Sequence, residues 1–277
     1  MDFHRWTALG RAYDLSIRHN RWILVLTAVG AMLGFVLHDG DIQTRFVQAI
    51  AGAATVFLAG ALAKELDPAR PAAALLATAL ALSVVGLLRP ISPVVLLWLM
   101  GDVRFLNRST GLRPKRTDVI LLLVAAVGLA WWETALFGVL AGVMLITDAL
   151  LPDGEKLYAA LGALVIFLSG GWFLAGDPVA AVPSLWLGTA LVVMAIAIIP
   201  VILCSYIITS TGDADERPLN PTRVQAGQVF ALGTGLLLAS WLGNEGVTLL
   251  AGLWAAVLGI LIYRLVVTRL TRSALSL

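Results

Sequence analysis

The chain has 277 residues and a formal net charge of +2, and 60% of its residues are hydrophobic while only 13% are charged. A soluble domain carries about 25% charged residues, so this composition excludes an ordinary soluble protein. The low charged fraction indicates a lipid-exposed protein whose expected partner is the bilayer, and no nucleic acid is expected as a ligand.

Apolar runs follow one another along the whole chain. A bilayer core about 30 Å thick is crossed by roughly 20 apolar residues of helix. The runs are continuously apolar, whereas the strands of membrane barrels alternate, so helices are the predicted way of crossing. The sequence predicts an all-α, polytopic membrane protein. The runs cover residues 22–37, 46–63, 72–101, 118–151, 157–175, 179–209, 224–242 and 247–268.

The first apolar run follows a basic amino-terminal segment, residues 1–21. The run ends in "HDGD" rather than a small-residue cleavage site, so we expect a retained first helix and a place in the cytoplasmic (inner) membrane. Trp6, Leu9, Tyr13 and Ile17 would share one face of a helix over this segment. Such an amphipathic helix is predicted to lie on the membrane surface.

No cofactor is evident from the rare residue types. Cys204 is the single cysteine, which excludes a disulfide within the chain. His4, His19 and His38 lie at or outside the edge of the first apolar run, so a bis-histidine haem within the membrane is not expected.

Residues 49–68 and 159–178, 110 positions apart, are identical at eight of twenty positions. Phe57, Asp67 and Pro68 match Phe167, Asp177 and Pro178. We therefore predict an internal duplication of about 110 residues, and repeats of this kind are common in transport folds. The predicted parts are repeat unit 1 over 22–131, repeat unit 2 over 132–241, an additional transmembrane helix over 242–268 and a short tail over 269–277.

The repeat and the loop charges give different helix counts. The repeat predicts nine helices, with the run 118–151 folded as a hairpin at "WWET". Positive loops are retained in the cytoplasm, and this rule is better satisfied by ten helices, with the run 72–101 turning at "RPISP". Both counts stay open at this point.

Two spacings of small residues predict close helix contacts. Gly30 and Gly34 form one GxxxG pair, and Gly138 and Gly142 form another. Such pairs let helix backbones approach closely, and we expect them to act in packing within the bundle rather than in a dimer.

Charged residues near membrane helices are costly and are therefore candidate functional groups. Glu65, Asp67 and Arg70 end the second apolar run, and Asp177 is the repeat mate of Asp67. The acids could hold a cation, and the alternative is an Asp-Pro turn that ends a helix. Glu133 is predicted at the tip of the hairpin, and it would lie at mid-membrane only if 118–151 were one helix.

The most basic loop, residues 102–117, offers a candidate site for an anionic headgroup or a phosphate at Arg104, Asn107 and Arg108. The alternative is a cytoplasmic loop whose positive charge only sets orientation. Asp118 follows Thr117 at the start of an apolar run and is predicted to cap a helix. The mixed-charge loop 211–223 is expected to be solvated.

The layout resembles the UbiA-type intramembrane prenyltransferases. "KELDPARP" and "AGDP" fall where that family ends its second and sixth helices with acidic motifs, and "RHNRW" enters the first helix as the family's basic entry does. The resemblance implies about nine helices and Mg²⁺ held by Asp67 and Asp177 on a prenyl diphosphate. The family's motifs carry several aspartates, whereas each segment here carries one.

Three functions follow from these patterns. The first is a transporter-like carrier of a small or amphipathic solute, with Asp67, Asp177 and Glu133 handling a cation or a proton. The second is a prenyl- or lipid-transferring enzyme, against which the lack of a complete catalytic motif counts. The third is a non-catalytic membrane scaffold subunit.

Overall fold

The computed structural model describes residues 7–10, 13–87, 92–176, 181–207, 210–212 and 217–275. Within these ranges the protein is all-α, as predicted, and contains isolated bridges but no strand. The helices are α1 (Arg18–Leu37), α2 (Ile42–Leu66), α3 (Ala73–Leu87), α4 (Pro93–Asn107), α5 (Arg116–Trp132), α6 (Leu136–Leu150), α7 (Lys156–Gly176), α8 (Leu185–Cys204), α9 (Pro221–Leu242), α10 (Asn244–Leu249) and α11 (Ala251–Leu275).

Four helices in the described part of the chain are long and apolar enough to cross a membrane: α1, α2, Leu157–Leu174 of α7, and α8. Only 17% of the apolar window of α8 is buried within the protein. An apolar surface of this extent is unfavourable in water, so lipid is its matching environment. The helices are therefore compatible with a multi-pass membrane protein.

The apolar run 72–101 forms two helices, α3 and α4, rather than one. Most of the turn predicted at "RPISP" lies outside the described residues. Helix α4 begins at Pro93, and proline is suited to the first position of a helix because the backbone donor that it lacks would have no partner there. Apart from the six-residue α10, the described residues thus form ten helices, and the number of them that cross the membrane, nine or ten, stays a prediction.

The run 118–151 is also two helices, as the hairpin prediction requires. Helix α5 ends at Trp132 and α6 begins at Leu136, so Glu133 lies in the turn between them. A single continuous helix with Glu133 at its middle is excluded.

The amino-terminal prediction is wrong for the residues that the structure describes. Residues 7–10 and 13–17 are not helical, and α1 begins only at Arg18. The backbone around Ala8 instead forms hydrogen bonds with side chains that are distant in sequence, which removes the gain from forming a helix here. Trp6 lies outside the described residues.

The chain divides into two compact units. Unit 1 contains Met1–Ala12, Trp98–Ser184 and Ile202–Gly246, and unit 2 contains Tyr13–Leu97, Leu185–Val201 and Val247–Leu277. The predicted repeat units, 22–131 and 132–241, are contiguous in sequence, whereas each compact unit collects separate stretches. The repeat boundaries stay a prediction.

In unit 2, helices α1 and α2 pack through glycine. A Cβ atom added to Gly52 would lie 2.5 Å from the carbonyl oxygen of Gly30, and one added to Gly34 would lie 2.2 Å from that of Gln48. These distances leave no room for a side chain. Helix α3 packs on α2 at Gly60 and on α11 at Gly259 by the same means.

In unit 1, helices α6 and α7 cross in a similar way. A Cβ added to Gly162 would lie 2.6 Å from the carbonyl oxygen of Gly142, and one added to Gly138 would lie 2.1 Å from the Ser169 hydroxyl. Both predicted GxxxG pairs therefore pack within the fold, as expected. Gly52 and Gly162 are one of the residue pairs matched at the 110-residue offset, and the repeat itself stays a prediction.

Two contacts in unit 1 join α4, and Arg108 just after it, to α6. Trp98 packs edge-on against Phe137 with 5.1 Å between ring centroids, and ten residues later Arg108 reaches Asp148. Phe105 of α4 also contacts Tyr158 of α7. Residues 98, 102 and 105 share one helical face, so that face of α4 is turned towards α6 and α7.

Candidate functional site

The carboxylate of Asp67 is held by an arginine that the sequence analysis did not associate with it. Arg264 of α11 donates from Nε and Nη2 to the two carboxylate oxygens, at 2.9 and 3.0 Å. Arg70 is a weaker neighbour, with Nη1 at 3.9 Å from Asp67. Asp67 is 2% exposed, so this fork is a buried ion pair that joins the end of α2 to α11 within unit 2.

The other predicted acids of this group are placed differently. Glu65 is buried in the last turn of α2. Asp177 lies outside the described residues, so its pairing with Asp67 across a repeat stays a prediction.

Glu133 is half-buried at the turn that joins α5 to α6. Burial, and then the neighbouring carboxylate of Glu245, raises the pKa of Glu133 above its usual value. The two acids repel each other when both are ionised, which favours the protonated form of Glu133.

The three predicted headgroup ligands all make contacts within unit 1. Arg104 donates from Nη1 to the Leu9 carbonyl oxygen at 3.1 Å. Asn107 is 2% exposed and lies so close to Gly227 of α9 that a Cβ there would be 2.0 Å from its Oδ1. Arg108 donates from Nη2 to Asp148 at 3.2 Å.

Arg108, Asp148 and Arg223 form a buried group that we call the Asp148 cluster. Asp148 is fully buried near the end of α6, and Arg223 at the start of α9 donates from Nη1 to its carboxylate at 2.7 Å. The remaining donors of Arg223 bond the carbonyl oxygens of Pro152, at 2.9 and 2.7 Å, and Leu106, at 3.1 Å. The cluster ties α4, α6 and α9 together at one end of unit 1.

The Asp148 cluster carries two guanidinium groups for one carboxylate. Burial, followed by the nearby Arg223 cation, lowers the pKa of Arg108. Arg108 also has a positive φ of 50°, and Asp153, whose carbonyl oxygen accepts from Arg108 at 3.0 Å, has a φ of 60°. Side chains rarely adopt this conformation, so the cluster holds both residues in a strained backbone.

Asp118 anchors the amino-terminal segment to unit 1. Its carboxylate accepts from the backbone N–H of Ala8 at 3.0 Å and from the Thr7 hydroxyl. It also accepts from the backbone N–H of Lys115 at 2.8 Å, which caps the start of α5. Asp118 therefore caps a helix as predicted, but from the third position of the helix rather than from the residue before it.

Asp102 of α4 differs from every other buried acid described so far. It is 0% exposed, and neither carboxylate oxygen has a hydrogen-bond partner. One helical turn earlier on the same face, the indole Nε1 of Trp98 is also buried without a partner. Buried polar groups are nearly always bonded, and the exceptions call for a functional reason.

Sequence reasoning missed Asp102, Asp148, Arg223 and Arg264 as site residues. Asp148 and Asp102 could have been selected as candidates from the sequence, because each is an acid at the edge of a long apolar run. Arg223 was assigned to a solvated loop, yet it is 2% exposed.

The described residues contain no group of three or more His, Cys, Asp or Glu side chains that could hold a metal ion. Comparison with protein-family models, curated proteins and solved structures found no match to this chain. The resemblance to the UbiA-type prenyltransferases thus stays a prediction, and the function is argued from the site alone.

Proposed function

We propose that the protein is a carrier that moves a small or amphipathic solute across the membrane, with Asp102 as the ionisable group on which movement depends. The observation that carries the proposal is the burial of this carboxyl group without a partner. An acid inside an apolar helical protein is expensive and is retained where it serves a function.

The other buried aspartates provide the contrast. Asp67, Asp118 and Asp148 each accept at least two hydrogen bonds, and each joins separate parts of its unit. These groups have a structural use that a scaffold also needs. Asp102 has no such use, so it favours a carrier over the scaffold.

The prenyltransferase alternative gains less from the site. Its Mg²⁺ would be held by Asp67 and Asp177, but the carboxylate of Asp67 is occupied by Arg264. A metal would have to displace a guanidinium group that already satisfies both oxygens.

The test is uptake into proteoliposomes. A panel of radiolabelled amino acids, sugars and small amines is first screened for a rise in the thermal unfolding midpoint of the purified protein. Solutes that stabilise it are then assayed for uptake by the wild type, by Asp102→Asn and by Arg113→Gln, an exposed control. The carrier predicts uptake that Asp102→Asn abolishes and Arg113→Gln retains. Uptake by no solute above protein-free liposomes, or equal uptake by Asp102→Asn, contradicts it.

A further inference from the structure

Asp102 is the one acid in α4, it is fully buried, and buried apolar residues follow it on the same helix. Val103, Phe105 and Leu106 on α4 are each 0% exposed, as are Ala141 and Met144 on α6. Asp102 lies on α4 between Trp98, which contacts Phe137 of α6, and Arg108, which bonds Asp148 near the other end of α6. An ionised carboxylate at this position would be unfavourable, because a charge is costly among apolar side chains.

The ionisable groups on the surrounding helices lie near the helix ends. Between Phe137 and Asp148, α6 has no ionisable residue, and α7 has none after Tyr158. Between Asp118 and Glu133, α5 has none, and its Leu122 contacts α4 at Gly101. The groups closest along these helices are Arg104 and Arg108 of α4, Asp118 of α5, Asp148 of α6, Tyr158 of α7 and Arg223 of α9.

None of these groups bonds Asp102. Arg104 is directed to the Leu9 carbonyl oxygen, and Arg108 and Arg223 are directed to Asp148. Asp102 therefore lacks both a counter-charge and a donor, the two features that would stabilise an ionised carboxylate in a dry interior. The neutral acid is the form that such surroundings accommodate.

We infer that Asp102 is a proton-binding site, occupied by a proton in the conformation described here and emptied when its face of α4 meets water. Binding adds one proton from water to the carboxylate and removes one negative charge from the interior. The inference deepens the proposed function and rests on it for its consequence, which is that H⁺ is the ion coupled to solute movement.

The test is infrared spectroscopy of the full-length protein in lipid nanodiscs as pH is raised. A protonated carboxyl group gives a C=O stretching band that an ionised carboxylate lacks. We expect the wild type to show this band at neutral pH and to lose it in alkali. In a Glu133→Gln background, which removes the other carboxyl group whose protonated form is favoured, Asp102→Asn removes the band and Asp102→Glu shifts its frequency. Asp153→Asn, which removes an exposed carboxyl group, leaves it unchanged.

Absence of the band from the wild type at neutral pH overturns the inference, and so does its persistence when Asp102→Asn is combined with Glu133→Gln. If Asp102→Asn does not fold, ¹³C labelling of aspartate in the wild type still shows whether the band belongs to an aspartate. A change of the band in Asp102→Glu then assigns it to residue 102. The outcome is separable from the uptake assay. A protonated Asp102 without uptake contradicts the carrier alone, whereas uptake with an ionised Asp102 contradicts the proton site alone.

Discussion

Arg264 and Asp67 are 197 residues apart in sequence, and the guanidinium group of one meets the carboxylate of the other in two hydrogen bonds of 2.9 and 3.0 Å. Two parallel bonds fix both the distance and the orientation of the groups. The acid that stood out in the sequence as a candidate ion ligand is therefore also the anchor for α11 within unit 2.

Breaking this pair should destabilise unit 2. Asp67→Asn leaves Arg264 without its counter-charge, and because Arg264 is 18% exposed we expect a loss of roughly 2–4 kcal/mol, below the maximum for a fully buried pair. Thermal unfolding in detergent measures the effect. Arg70→Gln is the matched control, since this residue is 42% exposed and 3.9 Å away, and an equal loss in that variant would contradict the assignment.

The Asp148 cluster gives a larger expected effect. Arg223→Met removes the shorter of the two ion pairs of the buried Asp148, together with bonds to two carbonyl oxygens, so we expect a loss of about 3–5 kcal/mol. Arg113→Gln breaks an ion pair whose side chains are 77% and 70% exposed, and it should cost less than about 1 kcal/mol. Similar unfolding midpoints for the two variants would show that the cluster does not hold unit 1 together.

The helix crossings should reject even a methyl group. Gly52→Ala and Gly162→Ala each place a Cβ within 2.5–2.6 Å of a facing carbonyl oxygen, and overpacking of this kind typically costs about 1–3 kcal/mol. Gly128→Ala and Gly170→Ala are the controls, because nothing lies within 4 Å of an added Cβ at either position. The unfolding midpoint of each variant is the measurement. Equal midpoints for the crossing variants and the controls would contradict the close packing at Gly52 and Gly162.

The stability of unit 1 should depend on pH through Glu133. Its pKa is raised in the folded protein, so between the usual value near 4.5 and the folded value the folded state binds more protons than the unfolded state. Stability therefore falls as pH rises through this window. Glu133→Gln should remove that fall and raise the unfolding midpoint at neutral pH.

Glu245→Gln should act in the same direction as Glu133→Gln but more weakly, because burial is the larger cause of the shift and the Glu245 carboxylate the smaller. If the unfolding midpoint of the wild type rises with pH above 4.5, and that of Glu133→Gln does not, the prediction is contradicted.

The helical class and several helix breaks could be read from the sequence, because they depend on local features. The length of the apolar runs required helices, and the polar Glu133 after two tryptophans marked the end of α5. The glycine contacts were also predictable, since GxxxG spacing places both small residues on one helical face.

The site could not be read in the same way. Asp67, Asp148 and Asp118 find partners across 197, 75 and 111 residues, and no local pattern predicts which residue each of them bonds. The amino-terminal segment failed for the same reason, because hydrogen bonds to Asp118 and Thr110 outweigh an amphipathic pattern. Asp102 is conspicuous only once its neighbours are known to be apolar and already engaged.

Because these partners are far apart in sequence, they are synthesised at different times. Chains emerge from the ribosome at about 5–20 residues per second, so Asp67 is made roughly 10–40 s before Arg264 exists to bind it. Thr7 waits in the same way for Asp118, which follows 111 residues later. Helix α2 must therefore persist for many seconds before Arg264 can bind Asp67, and unit 2 gains this ion pair only once α11 has been made.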